Sequence, residues 1–255
     1  MNIHYFDKFE VTELSYYDYK SLVKNLFTDD IKTIDKIFKN LLKTQVKQRN
    51  LKLNEKFKLL LFIRSLTLGE EFTLIQDEKN YFLNVNTILE KIDESEIKIE
   101  SGDLITVNNS NNFLVENIIE DLLENITELK LDFKRINLND FTNEQKNEIL
   151  NNIDDVNFSK ILKVYKENLS KKNINILNNE INFHNGQVLY FLKTIFNNDL
   201  QNLYDLEYFL IKNLNLNSYD FKNYSLTELK ILVNKFLEEM SKEENNNTGV
   251  PINKG

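Results

Sequence analysis

R-N-L-K-L-N-E-K-F-K-L-L-L-F-I-R-S-L-T-L-G-E-E-F, Arg49 to Phe72, runs straight into T-L-I-Q-D-E-K-N-Y-F-L-N-V, Thr73 to Val85. The first half reads as a helix and the second as a β-hairpin. Leu59, Leu60, Leu61, Phe62 and Ile63 form the densest apolar run in the chain. A run of that length, flanked by charge, belongs in a protein core rather than a bilayer. Asn54 is the expected N-cap, with Glu55 in the first turn where the helix dipole favours an acid. Gly69 falls where the helix should stop, a usual place for left-handed backbone. Phe72 and Leu74 on one strand, and Tyr81, Leu83 and Val85 on the other, alternate as a hairpin requires. Gln76 to Asn80 is its polar connection.

Outside this stretch, composition favours helices. Five glycines and one proline, Pro251, in 255 residues leave few helix breakers. A 41% apolar content supplies a real core. The net charge of −8 disfavours a general duplex-DNA binder, which needs a basic surface to displace counterions. A basic strip, Lys39 to Lys58, runs against that balance and reads as a solvated helix face and loop. The chain has no cysteine, which removes disulfides and thiolate zinc sites. Met1 to Glu10 lacks the positive start and apolar block of a signal peptide, and no apolar stretch is long enough to span a bilayer. The expectation is a soluble protein, without a membrane partner, acting where it is made.

Along the chain, Ile3, Tyr5, Phe9 and Val11 alternate as a short extended arm. Ser15 opens a helix with Tyr16, Tyr19, Leu22, Val23, Leu26 and Phe27 at helical spacing. Asp29 and Asp30 open another, whose face is Ile31, Ile34, Ile37, Phe38, Leu41 and Leu42. Thr87 to Lys91 is a helical turn. From Glu94 the pattern is extended: Ile97 and Ile99, a tight turn at Ser101-Gly102-Asp103, then Leu104, Ile105 and Val107. Asn108 to Asn112 is a polar loop. Phe113 to Ile126 is helical, and Glu128 to Ile136 is one strand, with Leu129, Leu131 and Phe133 alternating. Thr142-Asn143-Glu144-Gln145 has the form of a capping box. Asp154 or Asp155 starts a helix burying Phe158, Ile161, Leu162 and Tyr165. Lys172 to Phe183 is a strand or hairpin, followed by helices over Gln187 to Phe196 and Asp199 to Leu214. Ser225-Leu226-Thr227-Glu228 is a second capping box, with Leu229, Leu232, Val233, Phe236 and Leu237 inside its helix. Asn245 to Gly255 is too polar to fold.

Motifs for chemistry are missing. His4 and His184 have no companion at metal-ligand spacing and read as surface or capping histidines. There is no G-x-S-x-G, no G-x-G-x-x-G and no phosphate-binding loop with its lysine. Asp29-Asp30 and Asp154-Asp155 suit helix N-termini, and Gly69-Glu70-Glu71 suits a solvated turn. No catalytic, cofactor-binding or metal residues are assigned. Tyr16, Tyr17 and Tyr19 read as core and rim of an amphipathic helix, or as a protein-interface patch where tyrosine is enriched; base stacking is the other use of such a cluster.

The order of segments carries a resemblance. E-K-F-K-L-L-L-F-I-R-S-L-T-L-G-E, with Arg64, Ser65, Gly69 and Glu70, is followed by a short β segment. F-T-N-E-Q-K-N-E-I-L-N-N-I-D-D-V-N-F-S-K-I-L-K-V-Y, Phe141 to Tyr165, is a helical pair, and Y-S-L-T-E-L, Tyr224 to Leu229, is a late helix start. In that order they resemble the baseplate hub and hub-assembly proteins of T-even-type contractile-tailed phages, over most of residues 50–240. The resemblance implies a non-enzymatic virion protein, a hub structural subunit or a hub-assembly chaperone. Its partners would be other baseplate hub and tail proteins, at the tail baseplate or in the host cytoplasm during assembly. No cofactor is implied.

The expected fold class is α+β, predominantly α-helical, with a small antiparallel sheet and hairpins. The expected segments are 1–48 (arm and helices), 49–136 (central helix and small sheet), 137–241 (helical) and 242–255 (tail). Arg64, Gly69, Glu70, Tyr16 and Tyr19 are the structural or partner-contact candidates, with Arg64 and Glu70 the expected structural anchors. The second functional reading is a nucleic-acid-associated protein using residues 39–58.

Overall fold

The computed structural model describes residues 2–76, 79–92, 99–101, 105–131, 134–177, 179–197 and 200–247. The N-terminal arm is folded back on itself. β1 (Ile3–Phe6) and β2 (Phe9–Thr12) pair antiparallel, Ile3 opposite Thr12 and Phe6 opposite Phe9. Asp7 makes the turn at φ +51°, a backbone region that aspartate tolerates better than most side chains. α1 (Tyr16–Asn25) is capped by Ser15, whose Oγ accepts the Asp18 N–H. α2 (Ile31–Gln45) is capped by Asp30, which accepts the N–H groups of Lys32 and Thr33. α3 (Leu53–Leu68) has Lys52 as its N-cap, two residues before the expected one. Its first turn closes where Glu55 accepts the Lys52 N–H at 2.8 Å, so Asn54 lies inside the helix. Phe57, Leu59, Leu60, Leu61 and Ile63 of α3 are fully buried, so the helix is enclosed nearly all round rather than on one stripe. Gly69 ends it at φ +95° and ψ 172°, a positive-φ conformation but not the left-handed helical one.

β3 (Glu71–Gln76) and β4 (Lys79–Asn84) form the expected hairpin. Phe72 faces Leu83 and Leu74 faces Tyr81, so these four share one side, while Ile75 and Phe82 stand exposed on the other. Residues 77 and 78 of the expected connection lie outside the described residues. Val85 does not extend the strand; it opens α4 (Val85–Leu89), with Asn84 as cap. β5 (Ile99–Ser101) and β6 (Ile105–Val107) come next, then α5 (Ile118–Asn125), β7 (Ile126–Leu131) and β8 (Lys134–Asn137). The four strands make one antiparallel sheet in the order β5-β6-β7-β8. The expected turn at Gly102-Asp103, and the expected positions of Glu94, Ile97, Leu104 and Phe133, lie outside the described residues. Two readings are corrected. The single strand from Glu128 to Ile136 is a hairpin, because Leu129 and Ile136 oppose each other and the alternation runs through both arms. The helix expected from Phe113 begins at Ile118, where the Asn117 side chain accepts the N–H groups of Ile119 and Glu120.

α6 (Asn143–Asn151) carries the Thr142–Gln145 capping box, and α7 (Asp155–Lys171) is capped by Asp154. β9 (Asn173–Ile176) and β10 (Asn179–Asn182) form a hairpin. α8 (Gln187–Phe196), α9 (Leu200–Leu214), α10 (Ser218–Phe221) and α11 (Leu226–Asn247) complete the described chain. α10 was not legible; its capping box joins Asn217 and Asp220. α11 carries the Ser225–Glu228 box, but Leu237 is exposed, not inside. Asp199 and residues 248–255 of the expected tail lie outside the described residues, while residues 245–247 end α11. The protein is predominantly α-helical α+β with small antiparallel sheets.

Two apolar cores form. The first gathers β2, α1 to α4, β9, α8 and the buried sides of α9 to α11, and it uses residues on both sides of position 48. The second gathers β6, α5, β7, α6 and α7, and it uses residues on both sides of position 136. The second core is built between Ile92 and Ile174, a stretch from which Phe113 and Leu114 also reach the first core. Lys146 is buried in the second core, where its ammonium donates to the Leu123 and Ile126 carbonyls at 3.0 and 3.1 Å, closing the end of α5.

A buried polar cluster joins the two cores. Asp121 of α5 accepts from Ser110 Oγ at 2.7 Å, Asn112 Nδ2 at 2.9 Å and Tyr165 OH at 2.6 Å. The Asn112 carbonyl in turn lies 2.8 Å from Nδ1 of His184, which follows β10. His184 is therefore a buried, bonded residue rather than a surface or capping one. Burial holds its imidazole below the ordinary histidine range, although the Asn112 carbonyl and the Asp121 charge pull the other way. Below the unfolded histidine value of about 6.5, the unfolded chain binds more protons at this site than the folded one. The neutral ring's stabilising effect is thus fully present above that value and fades as pH falls through the folded value. Urea unfolding of the wild type should weaken as pH drops from about 7 to 5, and His184→Gln should weaken less over that interval. Equal slopes for both proteins would remove His184 from the account.

Candidate partner-binding surface

Three of the residues singled out in the sequence, Arg64, Gly69 and Tyr19, meet at one place. Arg64, on the last turns of α3, is 5% exposed. Its guanidinium donates to the carbonyls of Gly69, Glu71 (3.0 Å) and Ile195 (3.3 Å), and it lies over the Phe72 ring. Planar guanidinium geometry suits several carbonyls at once. Burial lowers its pKa while the nearby Tyr19 raises it. Tyr19 donates to the next carbonyl, Phe196 O, at 3.1 Å. Two carbonyls at the end of α8, which its own helix leaves without partners, are thus taken by α3 and α1. Tyr16 donates to Leu203 O on α9 at 2.8 Å. Burial is the main reason that its phenol titrates well above the usual range. Tyr16 and Tyr19 are both buried, so neither offers a face to a partner. Glu70 is exposed, and its carbonyl accepts the Val85 N–H at 2.9 Å, closing the base of the β3–β4 hairpin. Arg64, Gly69 and Tyr19 converge at the end of α8; Tyr16 and Glu70 sit elsewhere.

Two exposed tyrosines stand nearby, Tyr17 one position after Tyr16. Tyr17 of α1 and Tyr219 of α10 are 65% and 78% exposed. They flank a groove of about 720 Å³ between α1, α9 and α10. Its walls are tied by Tyr16 N–H to Tyr224 O at 2.7 Å and Tyr17 N–H to Lys222 O at 3.3 Å, over an edge-on Tyr16–Phe221 pair. Lys20, Lys24 and Lys222 face it, lying over the rings of Tyr204 and Tyr219. Sequence reading placed Tyr17 in an interface patch but missed Tyr219, Lys222, Lys20 and Lys24. The local signal was present: Tyr17, Lys20 and Lys24, and Tyr219 and Lys222, sit at same-face helical spacings. That the two sets meet across about two hundred residues was not readable.

The basic strip is partly neutralised: Lys39 pairs with Asp35 at 2.6 Å and Lys47 with Glu10 at 3.1 Å, and Lys56 donates to Asn111 O at 2.6 Å. His4 lies 3.6 Å from Glu13. Among the described residues, no group of three or more His, Asp or Glu side chains could hold a metal ion, and no helix is long and apolar enough to cross a membrane.

Residues 7–197 match the family model described as T4 bacteriophage base plate protein. The chain belongs to this baseplate family. The matched span takes in the N-terminal helices, the enclosed α3, the Phe141–Tyr165 helical pair and all of α8. The Tyr224–Leu229 likeness lies beyond it. No curated protein and no solved structure matches the chain. Membership of a T4-type baseplate family assigns a structural role in the phage tail baseplate, among other baseplate and tail proteins.

Within that family member, Arg64→Met should lower the unfolding free energy by about 3 kcal/mol, because three carbonyls, that of the buried Ile195 among them, lose their donor. Tyr19→Phe should cost about 1 kcal/mol. Urea denaturation of both single variants and the double tests the shared anchor. Losses that simply add would mean the two side chains act independently.

Proposed function

We propose that the protein works in the baseplate hub, as a structural subunit or as an assembly chaperone for hub proteins, and that it acts by recognition without turnover. The observation that carries this reading is the baseplate family match combined with a pre-formed tyrosine-lined groove on a chain of net charge −8. Tyrosine supplies large contact area at small conformational cost, and its hydroxyl keeps a polar handle at the rim. Other exposed apolar side chains, Ile75 and Phe82 on the β3–β4 hairpin among them, extend the surface open to partners. Charged rim residues would set register and encounter rate rather than most of the affinity.

Quantitative mass spectrometry of purified virions against infected-cell lysate tests the proposal. Recovery in particles at a fixed ratio to hub proteins identifies a subunit. Abundance in lysate as a complex with hub proteins, with absence from particles, identifies a chaperone. Finding it in neither hub-containing fraction overturns the hub reading.

A further inference from the structure

We propose that the groove between α1, α9 and α10 is a docking site for an extended, acidic segment of a partner protein carrying an aromatic or large apolar side chain. This rests on the recognition role proposed above and names the kind of partner it requires.

The chain carries a net charge of −8, yet the groove is lined by three lysines against two carboxylates, Asp18 and Glu207. Both carboxylates are occupied within the fold. Asp18 accepts the Ser15 hydroxyl at 2.6 Å, and Glu207 is ion-paired to Lys20. That leaves Lys24 and Lys222, both exposed, with no carboxylate partner among the described residues. Each ammonium instead lies over a tyrosine, Lys24 at 5.7 Å from the Tyr204 centroid and Lys222 at 5.1 Å from that of Tyr219. A cation resting on an exposed ring keeps its donors available for a carboxylate.

The groove is also shaped in advance. The floor is the buried Tyr16–Phe221 pair, and the walls are tied together by backbone hydrogen bonds. Tyr17 and Tyr219 stand at the mouth as exposed rings. Such a site does not have to be ordered on binding, which removes part of the usual cost of association. Two cations beside two rings match a segment in which carboxylates alternate with an apolar or aromatic side chain. An extended backbone places alternate residues on the same side, so its acids reach the lysines while the intervening side chain meets the tyrosines. Acidic side chains also complement the unpaired lysines of the groove, while the chain's net charge of −8 disfavours acidic segments overall.

The test uses the full-length protein and a short, fluorescently labelled peptide alternating glutamate with phenylalanine, read by anisotropy. Controls are the same peptide with lysine for glutamate, and a single-stranded oligonucleotide. The glutamate peptide should bind and the lysine peptide should not. Lys24→Glu with Lys222→Glu should weaken binding by about tenfold or more, and so should Tyr17→Ser with Tyr219→Ser. These four positions are exposed, and thermal melts coincident with the wild type confirm intact folding. Glutamate-peptide binding that is absent, or indifferent to both double variants, overturns the proposal. So does tighter binding of the oligonucleotide through the same lysines, which would make the groove a phosphate site. The two readings fail separately. A hub-bound protein with an inert groove overturns only the groove assignment, and an active groove on a protein absent from hub fractions overturns only the hub assignment.

Discussion

The end of α8 must be satisfied by other parts of the chain. A helix leaves its last four carbonyls without intrahelical donors, and a buried carbonyl without a partner costs on the order of 1–3 kcal/mol. Here the Ile195 carbonyl takes the Arg64 side chain from α3, and the Phe196 carbonyl takes the Tyr19 hydroxyl from α1. The same guanidinium holds Gly69 and Glu71, so the entry to the β3–β4 hairpin is fixed by the residue that closes α8. Phe38 and Phe196 pack beside it, and Phe57 and Phe72 lie against Phe191 on the same helix. Segments separated by well over a hundred residues therefore share one small set of contacts.

The second core depends on a different device. Asp121 is buried and accepts from three neutral donors rather than from a cation. A carboxylate can be held this way when its lone pairs are filled by aimed donors. The Asn112 carbonyl passes the connection on to His184 in the first core, and the Leu114–Asn185 bridge runs alongside. Together these ties hold the sheet-bearing second core to the helical first one. The geometry of the α1–α9–α10 groove is also set by the interior: Tyr16, in its floor, is bonded to α9. A groove formed in this way suits the recognition role proposed for it, because ordering costs are settled in folding rather than in binding.

Local chemistry made the helices legible. Ser15, Asp30, Thr142, Asp154 and Ser225 all cap as their types and spacing suggest. Lys52 at the start of α3 was missed because no side-chain acceptor marks it; the closing bond comes from Glu55 instead. The β7–β8 hairpin was read as one strand because period-two alternation is the same on both arms of a hairpin. The β1–β2 turn carries no glycine or proline at all, only Asp7 and Lys8. For the candidate residues, the multi-carbonyl role expected of Arg64 follows from guanidinium geometry. The burial of Tyr16 and Tyr19, next to the exposure of Tyr17, depends on α8, α9 and α10 arriving from the far end of the chain. No local pattern carries that information, and the groove lysines went unnoticed for the same reason.

The central claim is that α1, α3 and α8 open and close as one unit through the contacts at the end of α8. Native-state hydrogen exchange in low denaturant tests it most directly. The account requires the slowest amides of all three helices to converge on one opening free energy, equal to that of global unfolding. If α1 amides instead exchanged through a separate, lower-energy opening while α3 and α8 stayed protected, the shared anchor would not be what holds the first core together.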